Sequence, residues 1–277
     1  PTGREIEQII LSGDEQAVRC LLKRVDDPQQ LLRSGVRGNA RGHGRPLHVA
    51  ADQGRERTIR ILLDAAQDPQ ELLLMQLQGA KSGTALHLAA LSAHAAVVQA
   101  LLEYASDVEA LLHVPDIFYN RTALCAALTP QRCKPQGWTK DYITRVEAVI
   151  LTILGHTKNK QALLFAQDTD GRNVLHRAAA LSVPGTEVLL EALLAHATDP
   201  DALLLSQDVY GWTALHCAVI SRSLEKVQVL LKYLESVSEL LEMRDHIGQT
   251  IEGMVSDTSS PYRSTTVADM LKQRREG

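Results

Sequence analysis

Aromatic residues are scarce in this chain: Phe, Trp and Tyr make up only 4% of its 277 residues. That composition is typical of a helical solenoid rather than of a β-sandwich. Cysteines are also few, at four, and none of them forms a Cys-x-x-Cys pair. A disulfide-rich secreted fold is therefore disfavoured, and we expect a reducing, intracellular compartment, either cytoplasm or nucleus.

Neither acidic nor basic residues are in large excess, because the formal net charge is only −4. The chain has no global reason to bind nucleic acid directly or to bind a membrane surface. No apolar run approaches the length of a membrane span, and no signal peptide precedes the first helix pattern. Phosphate loops, zinc-protease helices and nucleophile elbows are absent from the sequence. We therefore expect a non-enzymatic protein without catalytic residues, cofactor or metal.

What the chain does contain is a repeated four-residue phrase. Its leucines are spaced by 39, 38, 51 and 40 residues, and its copies are Arg-Pro-Leu-His at 45–48, Thr-Ala-Leu-His at 84–87, Thr-Ala-Leu-Cys at 122–125, Asn-Val-Leu-His at 173–176 and Thr-Ala-Leu-His at 213–216. An Ala-rich stretch follows each copy, and a second apolar run then ends in paired leucines. Each run has an apolar stripe at helical spacing that one repeat cannot bury, so neighbouring repeats must stack.

The phrase resembles the ankyrin repeat, and the resemblance covers residues 4 to about 250. It implies an all-α solenoid of six to seven helix-turn-helix repeats, each with a short β-hairpin or loop finger. We predict a single, monomeric domain over 1–277, with approximate repeats at 4–36, 37–76, 77–115, 116–165, 166–205 and 206–243 and a degenerate C-terminal cap at 244–275. Gly171 and Gly211 are predicted to take positive φ at the finger turns.

These repeats are longer than the usual 33 residues, and the excess lies in similar segments after the second helix. Three of these segments begin with Asp-Pro, at 27–28, 68–69 and 199–200. Asp followed by Pro predicts a helix N-cap and a first helical position. We expect an extra helical turn whose paired leucines pack in the core, since buried leucine is far commoner than a leucine binding stripe.

The four phrase histidines, His48, His87, His176 and His216, occupy equivalent positions in different repeats. They would lie about one repeat apart, which is too far for a shared metal ion with bonds near 2 Å. The ankyrin resemblance instead implies that each histidine braces its finger through local hydrogen bonds. Cys125 replaces the histidine in the third copy, where we expect a buried thiol rather than a nucleophile.

One insertion interrupts the regular spacing, at residues 129–142 between the two helices of a middle repeat. Its two prolines and its glycine prevent a continuous helix. The aromatic side chains of Trp138 and Tyr142 lie there beside three cations, a mixture found at recognition hot spots. Two interpretations stay open: a recognition loop, or a surface loop whose tryptophan folds back onto the second helices.

The insertion, the repeat number and the stretch at 111–116 also resemble the IκB-like proteins, including the ankyrin halves of the Rel-factor precursors. This resemblance implies a scaffold that binds a Rel-type transcription factor through finger tips and the concave face of the first helices. The alternative is a targeting module of a larger protein, such as a pathogen effector, whose activity lies elsewhere. Together with the insertion, the family's contact positions predict these partner-binding residues: Lys81, Leu91, Ser92, Phe118, Tyr119, Arg121, Trp138, Tyr142, Thr169, Asp170, Arg172, Val209, Tyr210, Trp212, Ile220 and Ser221.

Overall fold

The structure, a computed structural model, describes residues 3–34, 44–77, 82–129, 139–234, 237–257 and 262–276. The described residues are mostly helical, and the strand-like pairs that join two described residues are the isolated bridges of Leu77 with Gly83 and of Arg244 with Thr250. The predicted all-α class is confirmed. Within the described residues, no helix combines the length and the apolar character that crossing a membrane requires.

Helices alternate along the chain in a fixed order of inner helix, outer helix and connector helix, numbered here from the N-terminus. The inner helices are α1 (Gly3–Ser12), α4 (Pro46–Asp52), α7 (Ala85–Leu91), α10 (Ala123–Ala127), α13 (Val174–Ala179), α16 (Ala214–Ile220) and α19 (Ile251–Ser256). The outer helices are α2 (Glu15–Arg24), α5 (Glu56–Asp64), α8 (Ala95–Glu103), α11 (Lys140–His156), α14 (Glu187–Ala195), α17 (Leu224–Lys232) and α20 (Thr265–Glu276). The connectors are α3 (Pro28–Arg33), α6 (Pro69–Leu74), α9 (Val108–His113), α12 (Lys160–Phe165), α15 (Pro200–Leu205) and α18 (Val237–Glu242).

The connector helices are the predicted extra turns. Asp27 caps α3 by accepting hydrogen bonds from the N–H groups of Gln29 and Gln30, at 2.8 and 3.1 Å. Pro28 follows as the first helical residue, where its missing N–H costs nothing. The paired leucines of these helices, such as Leu72 and Leu73 in α6, are buried. The prediction that they belong to the core is confirmed.

The chain divides into two compact units. Unit 1 comprises Pro1–Thr129 and Thr144–Asn159, and unit 2 comprises Pro130–Ile143 and Lys160–Gly277. In unit 1 the inner helices α1, α4, α7 and α10 pack in succession, as do the outer helices α2, α5 and α8. In unit 2 the same holds for α13, α16 and α19 and for α14, α17 and α20. The single domain over 1–277 and its repeat boundaries stay predictions.

The phrase residues have the predicted environment. Leu86 and Leu175 are completely buried. Gly171 and Gly211 have φ values of +71° and +75°. A Cβ atom at Gly211 would lie 2.9 Å from the Cα atom of Asp245, so this glycine is required both by its backbone conformation and by the close approach of the next turn.

Successive repeats are also joined by basic side chains near the start of the outer helices. In unit 1, Arg55 donates to the carbonyl oxygen of Leu11 at 2.7 Å. In unit 2, the fully buried Lys226 directs its Nζ atom at three carbonyl oxygens at the C-terminal end of α13 and just beyond it, those of Ala178 at 3.2 Å, Ala179 at 3.4 Å and Leu181. These side chains satisfy carbonyl groups that a helix C-terminus leaves without intrahelical donors.

Candidate functional site

Four tight turns, called fingers here, precede inner helices and are built around buried aspartates. Finger A is 116–121 in unit 1, and fingers B, C and D are 168–172, 208–212 and 245–249 in unit 2. In finger C, Oδ1 of Asp208 accepts hydrogen bonds from the N–H groups of Tyr210 and Trp212, at 2.8 and 3.0 Å. The aspartates that begin fingers A, B and D accept backbone N–H groups in the same way. The aspartate therefore shapes the turn, as Asx turns do elsewhere.

Fingers B, C and D are joined by backbone hydrogen bonds. The N–H group of Val209 donates to the carbonyl of Asp170 at 3.0 Å, and that of His246 donates to the carbonyl of Tyr210 at 2.9 Å. Each bond joins one finger to the next. The tips of these three fingers consequently form one continuous surface within unit 2.

Arg172 in finger B fixes the aromatic residues of finger C. Its Nε atom donates to Oδ2 of the buried Asp208 at 3.0 Å. Its guanidinium carbon lies 5.9 Å from the ring centroids of both Tyr210 and Trp212, and the two ring centroids are 5.6 Å apart. Arg172 thus combines an ion pair with two cation–π contacts, and these hold the rings in place before any partner binds.

Two of the phrase histidines, His87 and His176, reach from their inner helices to the finger of the next repeat. In unit 1, Nδ1 of His87 accepts the N–H of Thr84 at 3.2 Å, and its Nε2 atom lies 2.9 Å from the carbonyl oxygen of Arg121. In unit 2, Nε2 of His176 lies 2.9 Å from the carbonyl oxygen of Trp212. The brace implied by the ankyrin resemblance is present, and it extends across the boundary between repeats.

Burial keeps these imidazoles neutral. It lowers the pKa of His216 to about 4, although Asp245 and Asp208 act in the opposite direction. Burial, followed by the charge of Arg45, lowers the pKa of His48 to about 4 as well. A neutral imidazole can donate one hydrogen bond and accept another, as at His87, where Nδ1 accepts the N–H of Thr84 and Nε2 faces the carbonyl oxygen of Arg121.

Exposed apolar side chains are concentrated at the finger tips. Six of the seven exposed large hydrophobic residues in the described part of the chain lie in fingers A, C and D: Ile117 (49%), Phe118 (54%), Tyr119 (51%), Val209 (47%), Tyr210 (49%) and Ile247 (83%). The seventh, Leu151, lies on α11. Exposed apolar residues that cluster on rigid turns mark a surface suited to binding another protein.

Finger A has its own aromatic platform. The guanidinium carbon of Arg121 lies 4.0 Å from the ring centroid of Tyr119. Its Nη1 atom lies 3.5 Å from the hydroxyl oxygen of Thr129, and its backbone carbonyl is held by His87. The finger therefore presents its apolar tip from a backbone that is fixed on both sides.

The structure places the predicted partner-binding residues in four groups. Those exposed are Phe118, Tyr119, Thr169, Val209 and Tyr210. Those partly exposed are Leu91, Arg121, Asp170, Arg172, Trp212, Ile220 and Ser221. Lys81 and Trp138 lie outside the described residues, as does most of the 129–142 insertion. Two residues, Ser92 and Tyr142, are buried.

The two buried residues differ from their expected exposure for local reasons. Ser92 is 6% exposed, because it ends α7 and its hydroxyl group donates to Asp52 at 3.1 Å. Tyr142 is 2% exposed in unit 2, because α11 already begins at Lys140 and places it in the first helical turn beside the buried Ile143. The insertion is therefore helical from residue 140, and neither side chain offers the exposed surface that a contact residue needs.

Sequence reasoning missed two exposed residues, Ile117 and Ile247. Ile247 follows Asp245 by two positions and precedes Gly248, as Tyr210 follows Asp208 and precedes Gly211. That register places a side chain at the tip of the finger. It could have identified Ile247 before the structure was known.

The described residues contain no group of three or more His, Cys, Asp or Glu side chains placed to hold a metal ion. Cys125 is buried as predicted. Burial raises the pKa of the Cys217 thiol to about 12, so this cysteine remains protonated and unreactive at neutral pH.

Comparison with protein families decides how these repeats are classified. A family model for ankyrin repeats in three copies matches residues 146–239, and a single ankyrin-repeat model matches residues 81–110. These two stretches of the chain are ankyrin repeats. The ankyrin repeat domain of Bcl-3, described as a unique member of the IkappaB protein family, is a similar solved structure. The TM-score is 0.66 at 22% identity, over 96% of this chain and 97% of that one. No curated protein sequence matches the chain significantly.

Proposed function

We propose that this ankyrin-repeat chain is a non-enzymatic scaffold whose fingers, with the adjoining ends of the inner helices, bind a partner protein. Ankyrin repeats form a protein–protein interaction module. The observation that carries the proposal is the concentration of exposed apolar residues on fingers A, C and D. An ordinary folded surface has little packing reason to hold large apolar side chains at the tips of rigid turns.

The proposed partner is a Rel-type transcription factor, the partner class of the IκB-like proteins that the chain resembles. The similarity of fold to the Bcl-3 ankyrin domain supports this choice. The proposed contacts in unit 2 are Val209, Tyr210 and Trp212 in finger C, with Ile220 and Ser221 at the end of α16. Those in unit 1 are Phe118 and Tyr119. Ser92 and Tyr142 are left out because they are buried.

Tyr210 is the sharpest place to test the proposal. Its ring is 49% exposed, but its backbone is fixed by Asp208 and by His246. Removal of the ring should therefore change the surface and leave the fold in place. We expect Tyr210→Ala to weaken binding of a purified Rel homology dimer about tenfold or more, as for an aromatic hot spot.

The matched control is Leu151→Ala. Leu151 is 41% exposed, and it is the exposed large hydrophobic residue that lies away from the fingers in the described structure. This variant should bind the Rel dimer as tightly as the unchanged chain in isothermal titration calorimetry. Equal affinity of the Tyr210→Ala variant would remove finger C from the interface. Failure of the unchanged chain to bind any Rel dimer would reject the Rel partner and favour the targeting-module alternative.

The insertion provides a second test. Trp138 and the cations Arg132 and Lys134 lie within 130–138, which is outside the described residues. We expect replacement of 130–138 by a short turn with the sequence of residues 92–94 to reduce partner affinity, with a loss that is larger at low salt. An unfolded variant would show instead that Trp138 packs on the repeats, and unchanged affinity at every salt concentration would remove the loop from the interface.

A further inference from the structure

One of the phrase histidines has a hydrogen-bonding environment unlike that of its counterparts. Nδ1 of His176 lies 2.7 Å from Oδ1 of Asn173, and Nε2 lies 2.9 Å from the carbonyl oxygen of Trp212. Both neighbouring atoms are hydrogen-bond acceptors. A neutral imidazole carries one N–H group and can satisfy only one of them.

The Asn173 amide cannot be turned over to remove this conflict. Asn173 is the N-cap of α13, and its Oδ1 accepts the N–H groups of Leu175 and His176, at 3.0 and 3.1 Å. Exchanging the oxygen and the nitrogen would direct an NH₂ group at these two donors. The cap therefore fixes the oxygen beside Nδ1.

In the repeats with threonine at this position, Nδ1 has different neighbours. Nδ1 of His87 accepts the N–H of Thr84, and Nδ1 of His216 accepts the N–H of Thr213 at 3.1 Å. Each of these Nδ1 atoms also lies 2.9 Å from the hydroxyl oxygen of the same threonine. A proton on Nδ1 would displace the threonine N–H and leave only the hydroxyl oxygen as an acceptor, whereas at His176 the same proton gives both acceptors a donor.

The charges around His176 are mixed. Burial lowers its pKa, whereas the contact with the Trp212 carbonyl and the Asp208 carboxylate raise it; Arg172 then lowers it and Asp168 raises it. The other titratable or charged groups on its own helix and on the elements packed against it are Lys160 on α12, Arg177 on α13, Glu187 and Glu191 on α14, and His216 and Cys217 on α16. Both buried finger carboxylates already have arginine partners, Asp208 with Arg172 and Asp168 with Arg177. The groups that favour a proton on His176 are therefore the two acceptors at its ring nitrogens.

We propose that His176 takes up a proton at a higher pH than the other phrase histidines, and that this proton completes the hydrogen-bonded tie between α13 and finger C. Acidification to a pH between the midpoints of His176 and His216 then strengthens the tie to finger C and leaves His216 neutral. The inference concerns the folded chain alone and does not depend on the identity of the partner.

The experiment is a pH titration of the full chain followed by NMR of the histidine ring nitrogens, with the variants Asn173→Thr and Thr213→Asn. We expect the midpoint of His176 to lie at least one pH unit above that of His216. Asn173→Thr, which introduces the residue used in other repeats, should lower the midpoint of His176 by about one unit. Thr213→Asn should raise that of His216 in return.

Two outcomes would overturn the proposal. One is a His176 ring that remains a single neutral tautomer down to the pH at which His216 is protonated. The other is an unchanged His176 midpoint in Asn173→Thr. Because no partner is present in these samples, neither outcome depends on the proposed binding function.

Discussion

Lys226 offers a sharp test of how the repeats of unit 2 are held together. Its side chain is completely buried, and its Nζ atom serves the carbonyl oxygens of Ala178, Ala179 and Leu181. A methionine in place of Lys226 would keep most of the apolar part of the side chain but would donate no hydrogen bond to these carbonyl oxygens. Ala178 retains a long bond from the N–H of Leu181 at 3.4 Å, so two carbonyls lose an important donor. At about 1–3 kcal/mol for each buried unsatisfied group, Lys226→Met should cost about 2–6 kcal/mol of unfolding free energy.

Urea denaturation at pH 7, followed by circular dichroism, would measure this loss. The matched control is Lys232→Met on the same helix, because Lys232 has a side chain that is 71% exposed and lies 3.9 Å from Glu191. An exposed pair of this kind contributes little, and we expect the control to change stability by less than about 0.5 kcal/mol. A Lys226→Met variant as stable as its control would refute the reasoning.

The change of the unfolding free energy with pH provides a second measurement on the same Lys226→Met variant. Burial lowers the pKa of the Lys226 ammonium group from 10.5 to about 8, against the opposing charges of Glu187 and Glu225. Between these pH values the unfolded chain holds more protons than the folded chain, so the unfolding free energy should rise with pH by up to about 3 kcal/mol. Lys226→Met should lack this rise, and an identical pH profile for the two proteins would contradict the assignment.

Two further predictions concern the phrase. Leu175→Ala should lower the unfolding free energy by about 2–5 kcal/mol in urea denaturation, because Leu175 is completely buried and its loss leaves a cavity. A loss below about 0.5 kcal/mol would contradict the burial of Leu175 and the register of its repeat. His48 and His216 each have a folded pKa of about 4. As the pH falls from 6.5 to 4, the unfolded chain binds more protons at each of these histidines than the folded chain does. The unfolding free energy should therefore fall by up to about 3 kcal/mol for each histidine. His216→Gln should show a smaller fall in the same titration, and an equal fall would exclude His216 as its source.

Local patterns in the sequence predicted much of the fold because the interactions that form it are short in range. The Asp-Pro pairs predicted the connector helices, since an aspartate caps the N–H groups two or three residues later. The alignment of Gly171 with Gly211 predicted the finger turns, since positive φ excludes most side chains. The phrase leucines predicted the core because their spacing returns to the same face in each repeat.

Exposure at the candidate site was less predictable because it depends on neighbours far along the chain. Phe118 and Tyr210 were expected to be exposed and are, whereas Ser92 is buried by a contact with Asp52, forty residues earlier. Tyr142 is buried because the outer helix begins within the predicted loop. Ile247 follows the register of Tyr210, but sequence alone did not show that its side chain would be 83% exposed.

The sequence by itself determined that this chain consists of repeated helix pairs, because the helix caps and the turn glycines that define each pair act within a few residues. Only the tertiary structure decided which side-chain contacts join each repeat to the next one. It placed the buried ammonium of Lys226 against the carbonyls at the C-terminal end of α13, and Arg172 against the rings of finger C. It also placed a hydrogen-bond acceptor at each ring nitrogen of His176, whereas Nδ1 of His87 and Nδ1 of His216 each accept a threonine N–H. Hydrogen bonding across repeats depends on distance and direction between segments about forty residues apart, and a one-dimensional pattern does not encode those quantities.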